Sequence, residues 1–308
     1  GGVFVSASAY DDVTMRRYLR YCIFLALLPI VYCCVLTYLF GLDAPYWDQW
    51  WKVPLVTKAF DGTLSLSDCW ALNNEHRVFF PNLLTVLVAR ATHWTIGYEL
   101  VLTILFTIIT FVYIVRTVLQ EATDTVRCHL YLLIPVISLL MFSFSQRAVW
   151  VWGLHTMIPM ALLAMLIAIR HLIKDEVSRR DMVIAVLCSF FSSYTFGTGI
   201  VIWGVGVVLF AWRIYVRQPK APFWMGAWCV SAVLCMGIYF LGYTSIGTEA
   251  TAQSALSHPF AYIGHVLGYI GGPLVPYHSP GGFMEPYHAS LTVVFGVLGI
   301  ALGIYRVK

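Results

Sequence analysis

Three short blocks carry side chains that can do chemistry. The first is Tyr46-Trp47-Asp48-Gln49-Trp50, a few residues beyond a long apolar run. A carboxylate at the edge of a low-dielectric region is well placed as a general base. Asp48 also precedes an amphipathic stretch, residues 49–61, where Asp is a favoured helix N-cap, and both readings stand at this point. Asp43, nearer the apolar run, is the alternative base. The second block is Asn73-Asn74-Glu75-His76-Arg77, followed by Val78-Phe79-Phe80-Pro81-Asn82. Ionisable residues at the mouth of an apolar helix are costly unless paired or used. Arg77 and His76 could grip a phosphate, with Glu75 orienting either, or the three could form an interfacial charge cluster. The third block, Ser145 to His155, holds Gln146, Arg147, Trp150, Trp152 and His155. Indole faces stack on sugar rings and a guanidinium suits phosphate. An aromatic belt explains the tryptophans but not Arg147 or His155. Tyr194, in the hydroxyl-rich segment 192–199, is a further candidate for lining a substrate.

These blocks need elements to hold them, and the composition says which kind. Of 308 residues, 60% are hydrophobic and 11% charged, with a mean hydropathy of +0.78. A soluble domain has roughly a quarter of its residues charged, so this is an all-α, polytopic membrane chain. The net charge of +4 is too mild for a nucleic-acid partner. Most of the eight cysteines fall inside apolar runs without a CxxC spacing, which supports neither a metal site nor a redox motif.

A helix needs about 20 apolar residues to cross ~30 Å of hydrocarbon. Apolar stretches near 21–41, 98–119, 129–146, 150–170, 181–198, 199–214, 222–244 and 288–305 give an expectation of about eight spans. Residues 78–94, with Pro81, Asn82 and Arg90, read as a juxtamembrane or re-entrant helix. With that choice the basic loops fall on one side, and only Lys52, Lys58, Arg77, Arg90 and Arg147 lie on the other. The positive-inside rule then puts the N-terminus in the cytoplasm. The first loop, 42–97, and a second segment, 245–287, face outward. Lys52 and Lys58 are expected to snorkel to headgroups from the amphipathic stretch. The chain reads as one transmembrane domain over 1–308, with an end that is compatible with a piece of a longer protein.

The order of these features resembles the GT-C superfamily of membrane glycosyltransferases: a first span, an outer Asp just past it, juxtamembrane helices and a His/Arg cluster. More narrowly, Trp47-Asp48-Gln49-Trp50, the Asn74-Glu75-His76-Arg77 block and Trp150-Val151-Trp152-Gly153 are similar to a bacterial branch of it, over roughly residues 20–200. Gln49 stands where an acidic residue is often found, which counts against a paired-carboxylate or metal role. Arg147 stands where a smaller or amide residue is expected. The resemblance implies transfer of a sugar from a polyprenyl-phosphate carrier to a glycan, lipid or protein acceptor at the outer face of the cell (inner) membrane. The outer Asp would act as base; no cofactor is certain, and a divalent metal stays open. A lipid-linked-sugar flippase, another transporter or a non-catalytic membrane scaffold are the rival classes. The absence of ionisable residues at mid-depth in the apolar runs weighs against transport.

Overall fold

The computed structural model describes residues 7–74, 76–122, 124–243, 257–260, 263–264 and 267. The chain divides into two compact units, one of 1–141 with 148–246 and one of 142–147 with 247–308. The first is almost wholly helical. It contains α1 (Ala7–Phe40), α2 (Val53–Asp61), α3 (Leu66–Trp70) and a two-stranded hairpin of β1 (Leu72–Asn73) and β2 (His76–Arg77). There follow α4 (Phe79–Thr92), α5 (Gly97–Glu121) and α6 (Asp124–Met141). After α7 (Arg147–Val151) come α8 (Met157–Leu172), α9 (Arg179–Ser193), α10 (Val201–Tyr215) and α11 (Ala221–Phe240).

Among the described residues five helices are long and apolar enough to cross a membrane: Arg17–Phe40, Gly97–Glu121, Gly153–Leu172, Gly197–Tyr215 and Ala221–Phe240. The expected count of eight is therefore not reached. The stretch 129–146 contributes only a short apolar helix, Leu130–Met141. The stretch 181–198 contributes α9, whose 15 residues rise roughly 22 Å at about 1.5 Å each, short of the ~30 Å core. The run 288–305 and most of the segment 245–287 lie outside the described residues. The juxtamembrane expectation for 78–94 corresponds to α4, 14 residues long.

Large apolar side chains along the outside of the helices, such as Phe24, Leu28, Val112, Val208 and Val233, are exposed. A lipid environment accounts for faces of that kind. Inside, α8 to α11 pack around Tyr194, Trp203, Phe210 and Trp228. The polar tips of these aromatics are satisfied: Trp228 Nε1 donates to the Trp203 carbonyl at 2.9 Å, and Tyr194 Oη to that of Cys235 at 2.8 Å.

Two groups of contacts mark opposite ends of the helices. At one, Arg170 bonds Glu121 at 3.0 Å, His171 meets Asp181 at 2.6 Å, and Arg213 donates to the Leu172 carbonyl at 2.8 Å. At the other, the Leu42 amide donates to the Val151 carbonyl at 3.3 Å, the Phe80 amide to that of Tyr194 at 3.3 Å, and the Gly97 amide to Asp43 at 3.1 Å. Residues 42–97 fold onto this second end.

Candidate functional site

The site is built on a six-residue 3-10 turn, Trp47–Lys52. Trp47 opens it with φ of 47°, a left-handed conformation that is strained for a bulky residue. Its indole stacks on Trp152 with centroids 6.5 Å apart and planes 22° from parallel. Tyr46 meets Trp152 edge-on at 5.7 Å, and the His155 ring lies 4.4 Å from Trp152. A carbonyl can only accept, so the 2.9 Å bond to the Ala148 carbonyl puts a proton on His155 Nδ1, and in the neutral ring Nε2 is then the acceptor.

Asp48 is half-buried beside this aromatic group and within electrostatic reach of His155. It is not an N-cap. Tyr46 and Lys52 occupy the cap positions of the 3-10 turn and of α2, and neither uses its side chain. The carboxylate instead accepts from Asn74 Nδ2 at 3.2 Å. Asn74 stands in the two-residue turn of the hairpin, whose register pairs Leu72 with Arg77 and Asn73 with His76. Its φ of 51° is a conformation Asn tolerates in such turns. Glu75, the other turn residue, lies outside the described residues.

Beneath the turn is a buried polar group. Gln49 Nε2 donates to Glu99 Oε2 at 2.8 Å, and Lys52 Nζ donates to Thr85 Oγ1 at 2.7 Å with a longer contact to the Pro81 carbonyl at 3.5 Å. Gln49 is 1% exposed, and Lys52 and Glu99 are each 3%. Lys52 therefore does not snorkel: α2 and α4 pack over it. Burial lowers the pKa of its ammonium and the Glu99 carboxylate partly restores it.

The hairpin places the other candidates unequally. His76 sits edge-on to Phe196 at 5.0 Å, against Gly197, a position where a Cβ would strike the imidazole. Arg77 is 3% exposed, and its guanidinium donates to the carbonyls of Trp70, Tyr239 and Leu241 and lies 5.0 Å from the centre of the Trp70 ring. The expected phosphate grip through Arg77 is corrected accordingly: the side chain ties the hairpin to the end of α11. Asp43 receives the Gly97 amide at the start of α5 and borders a cavity of ≈ 380 Å³ between α1 and α5.

Trp47, Trp152 and His155 thus come together with Asp48. Two other expected lining residues do not. Tyr194 is 0% exposed and Trp150 1%, so both are core. Gln146 and Arg147 are exposed and belong to the second unit, Arg147 opening α7. Among the described residues no group of three or more His, Cys, Asp or Glu could hold a metal ion. Sequence reasoning missed Glu99 and the inward course of Gln49 and Lys52. A carboxylate in the first turn of an apolar span is itself a signal, and it could have drawn attention to Glu99. No family model, curated protein or solved structure matches the chain.

Proposed function

We propose that this protein is a membrane glycosyltransferase that moves a sugar from a polyprenyl-phosphate carrier to an acceptor hydroxyl on the non-cytoplasmic face, with Asp48 as general base. One observation carries the reading: the Asp48 carboxylate has no capping duty and stands, steadied by Asn74, at the rim of the Trp47–Trp152–His155 group. In the step envisaged, Asp48 takes the acceptor O–H proton as that oxygen bonds to the anomeric carbon. The bond from that carbon to the carrier phosphate breaks, the phosphate leaves with the electron pair, and configuration inverts. Of the hairpin pair, His76 is the candidate to meet the departing phosphate, since Arg77 is occupied by carbonyls. The start of the carrier's chain is assigned to the seam of α1 and α5 at the site end, where the cavity of ≈ 380 Å³ bordered by Asp43 is lined by residues such as Cys34, Tyr38, Leu100 and Ile104.

The test is transfer from polyprenyl-phosphate-linked sugars by the purified protein in vesicles. Asp48→Asn should lower turnover by about 100-fold or more while leaving donor binding and thermal unfolding unchanged. Wild-type turnover in that variant would remove Asp48 from the mechanism. Movement of the donor across the bilayer without transfer would favour a flippase, and neither activity would favour a scaffold.

A further inference from the structure

The buried group under the 3-10 turn is an odd thing to place at a membrane boundary. A lysine and a glutamate are withdrawn almost wholly from solvent, and no salt bridge within 4.0 Å joins them among the described residues. Glu99 Oε1 and Gln49 Oε1 are both buried without a hydrogen-bond partner among the protein atoms. Buried charges and unmatched acceptors lower stability, and well-packed apolar replacements of similar volume are often neutral or better. Whatever the group contributes, folding stability is a poor candidate.

Its geometry points elsewhere. Gln49 and Lys52 are the two residues of the turn that reach downward, and Asp48 immediately precedes Gln49 in the chain with its carboxylate on Asn74. Glu99 is itself held firmly. Its carbonyl accepts from Thr103 at 2.9 Å and Thr156 at 3.0 Å, and Gly153 closes over its carboxylate, where an added Cβ would come within 2.7 Å of Glu99 Oε2 and 2.9 Å of Gln49 Nε2. An amide at position 49 can donate to Glu99, whereas a carboxylate there would face it with like charge. We infer that Glu99, acting through Gln49, is a positioning residue that fixes, alongside the Lys52–Thr85 bond, the turn presenting Asp48, and does so against the stability of the fold. The inference rests on the reading of Asp48 as the reacting carboxylate.

Two readouts separate this role from a structural one. The stacked Trp47 and Trp152 report the turn's placement through their circular-dichroism exciton couplet, defined as the signal that Trp47→Phe removes. The triple variant Gln49→Leu, Lys52→Met, Glu99→Leu should keep or raise Tm, lose the couplet, and lower kcat by about 100-fold with donor KM unchanged. Glu99→Gln, which retains an acceptor oxygen for Gln49, should keep the couplet and most of the turnover. Gln49→Met alone, with both charges left in place, should also lose the couplet. A triple variant that melts well below wild type, or that keeps the couplet and turnover, overturns the inference, as does a Gln49→Met protein with an intact couplet. If wild type shows no sugar transfer, the proposed activity fails while Tm and the couplet still decide the positioning role.

Discussion

Arg77 shows how far a residue type can mislead when its partners are unknown. In the sequence it stands beside His76 at the entrance to an apolar helix, where a phosphate grip is the natural chemistry. In the fold, three backbone carbonyls and the Trp70 face take up its guanidinium. Charge-assisted bonds of this kind contribute about 1.5–3 kcal/mol each, so Arg77→Ala should destabilise by about 3 kcal/mol or more, read as a lower Tm. Arg77→Lys should recover part, because a point charge cannot reach several carbonyls at once. An alanine variant with wild-type Tm and weakened donor binding would return the residue to the phosphate. The same blindness applies to Tyr194 and Trp150. An aromatic at a helix end reads alike whether it lines a cleft or fills the core, and only burial separates the cases. Asp48, Trp47, Trp152 and His155 were legible because each lies in a loop next to residues of complementary chemistry. Glu99 was not, since it reads as the polar start of a span.

At the level of elements, α9 is the instructive case. Its apolar content led to the expectation of a span over 181–198, yet it starts with two arginines and Asp181 and ends in a serine pair buried in the core. What holds it is its termini and its neighbour. Ser178 and Asp181 form a reciprocal capping box, and Asp181 also receives Lys174 and His171 from the end of α8. Ser192 Oγ donates to the Ala161 carbonyl at 3.1 Å, so α8 and α9 run antiparallel. Burial alone would raise the Asp181 carboxyl, but the bonds from Lys174, Ser178 and His171 hold it well below the usual carboxylate range. A carboxyl with a depressed folded-state pKa adds stability above its unfolded value of about 3.9, and that stability is lost as pH falls below it. Asp181→Ala should therefore lower Tm near neutrality, by the equivalent of about 2 kcal/mol. The gap from wild type should narrow steadily below about pH 4. A gap that stays constant into acid would mean that packing, not charge, is what the variant loses.

Across the first unit as a whole, charge is sorted by helix end. Glu121, Arg170, Lys174, Asp181 and Arg213 meet at one end, while Asp43, Asp48, Lys52, Arg77 and Glu99 gather at the other with the candidate site. The sequence carries that sorting in its basic loops. It does not carry the number of crossings, because run length counts residues that leave the helix at each end, as Tyr194 to Gly197 do beyond α9. The sorting does not depend on the count, since α9 still passes from the basic end, where it meets His171, to the other, where it meets Ala161. If the basic end is cytoplasmic, as the positive-inside rule has it, the two ends are separated by the bilayer and by nothing else. Asp61 and Glu176 are both exposed and lie at opposite ends. A membrane-impermeant maleimide added to intact cells should label Asp61→Cys and leave Glu176→Cys unlabelled, with wild-type background from the native cysteines subtracted. Opening the membrane should make both react. Labelling of Glu176→Cys alone would invert the chain and put Asp48 on the cytoplasmic side, where a nucleotide sugar rather than a lipid-linked one would be within reach. Equal labelling of both in intact cells would mean that the two ends share one side, and the reading of a site at the outer boundary would fall with it.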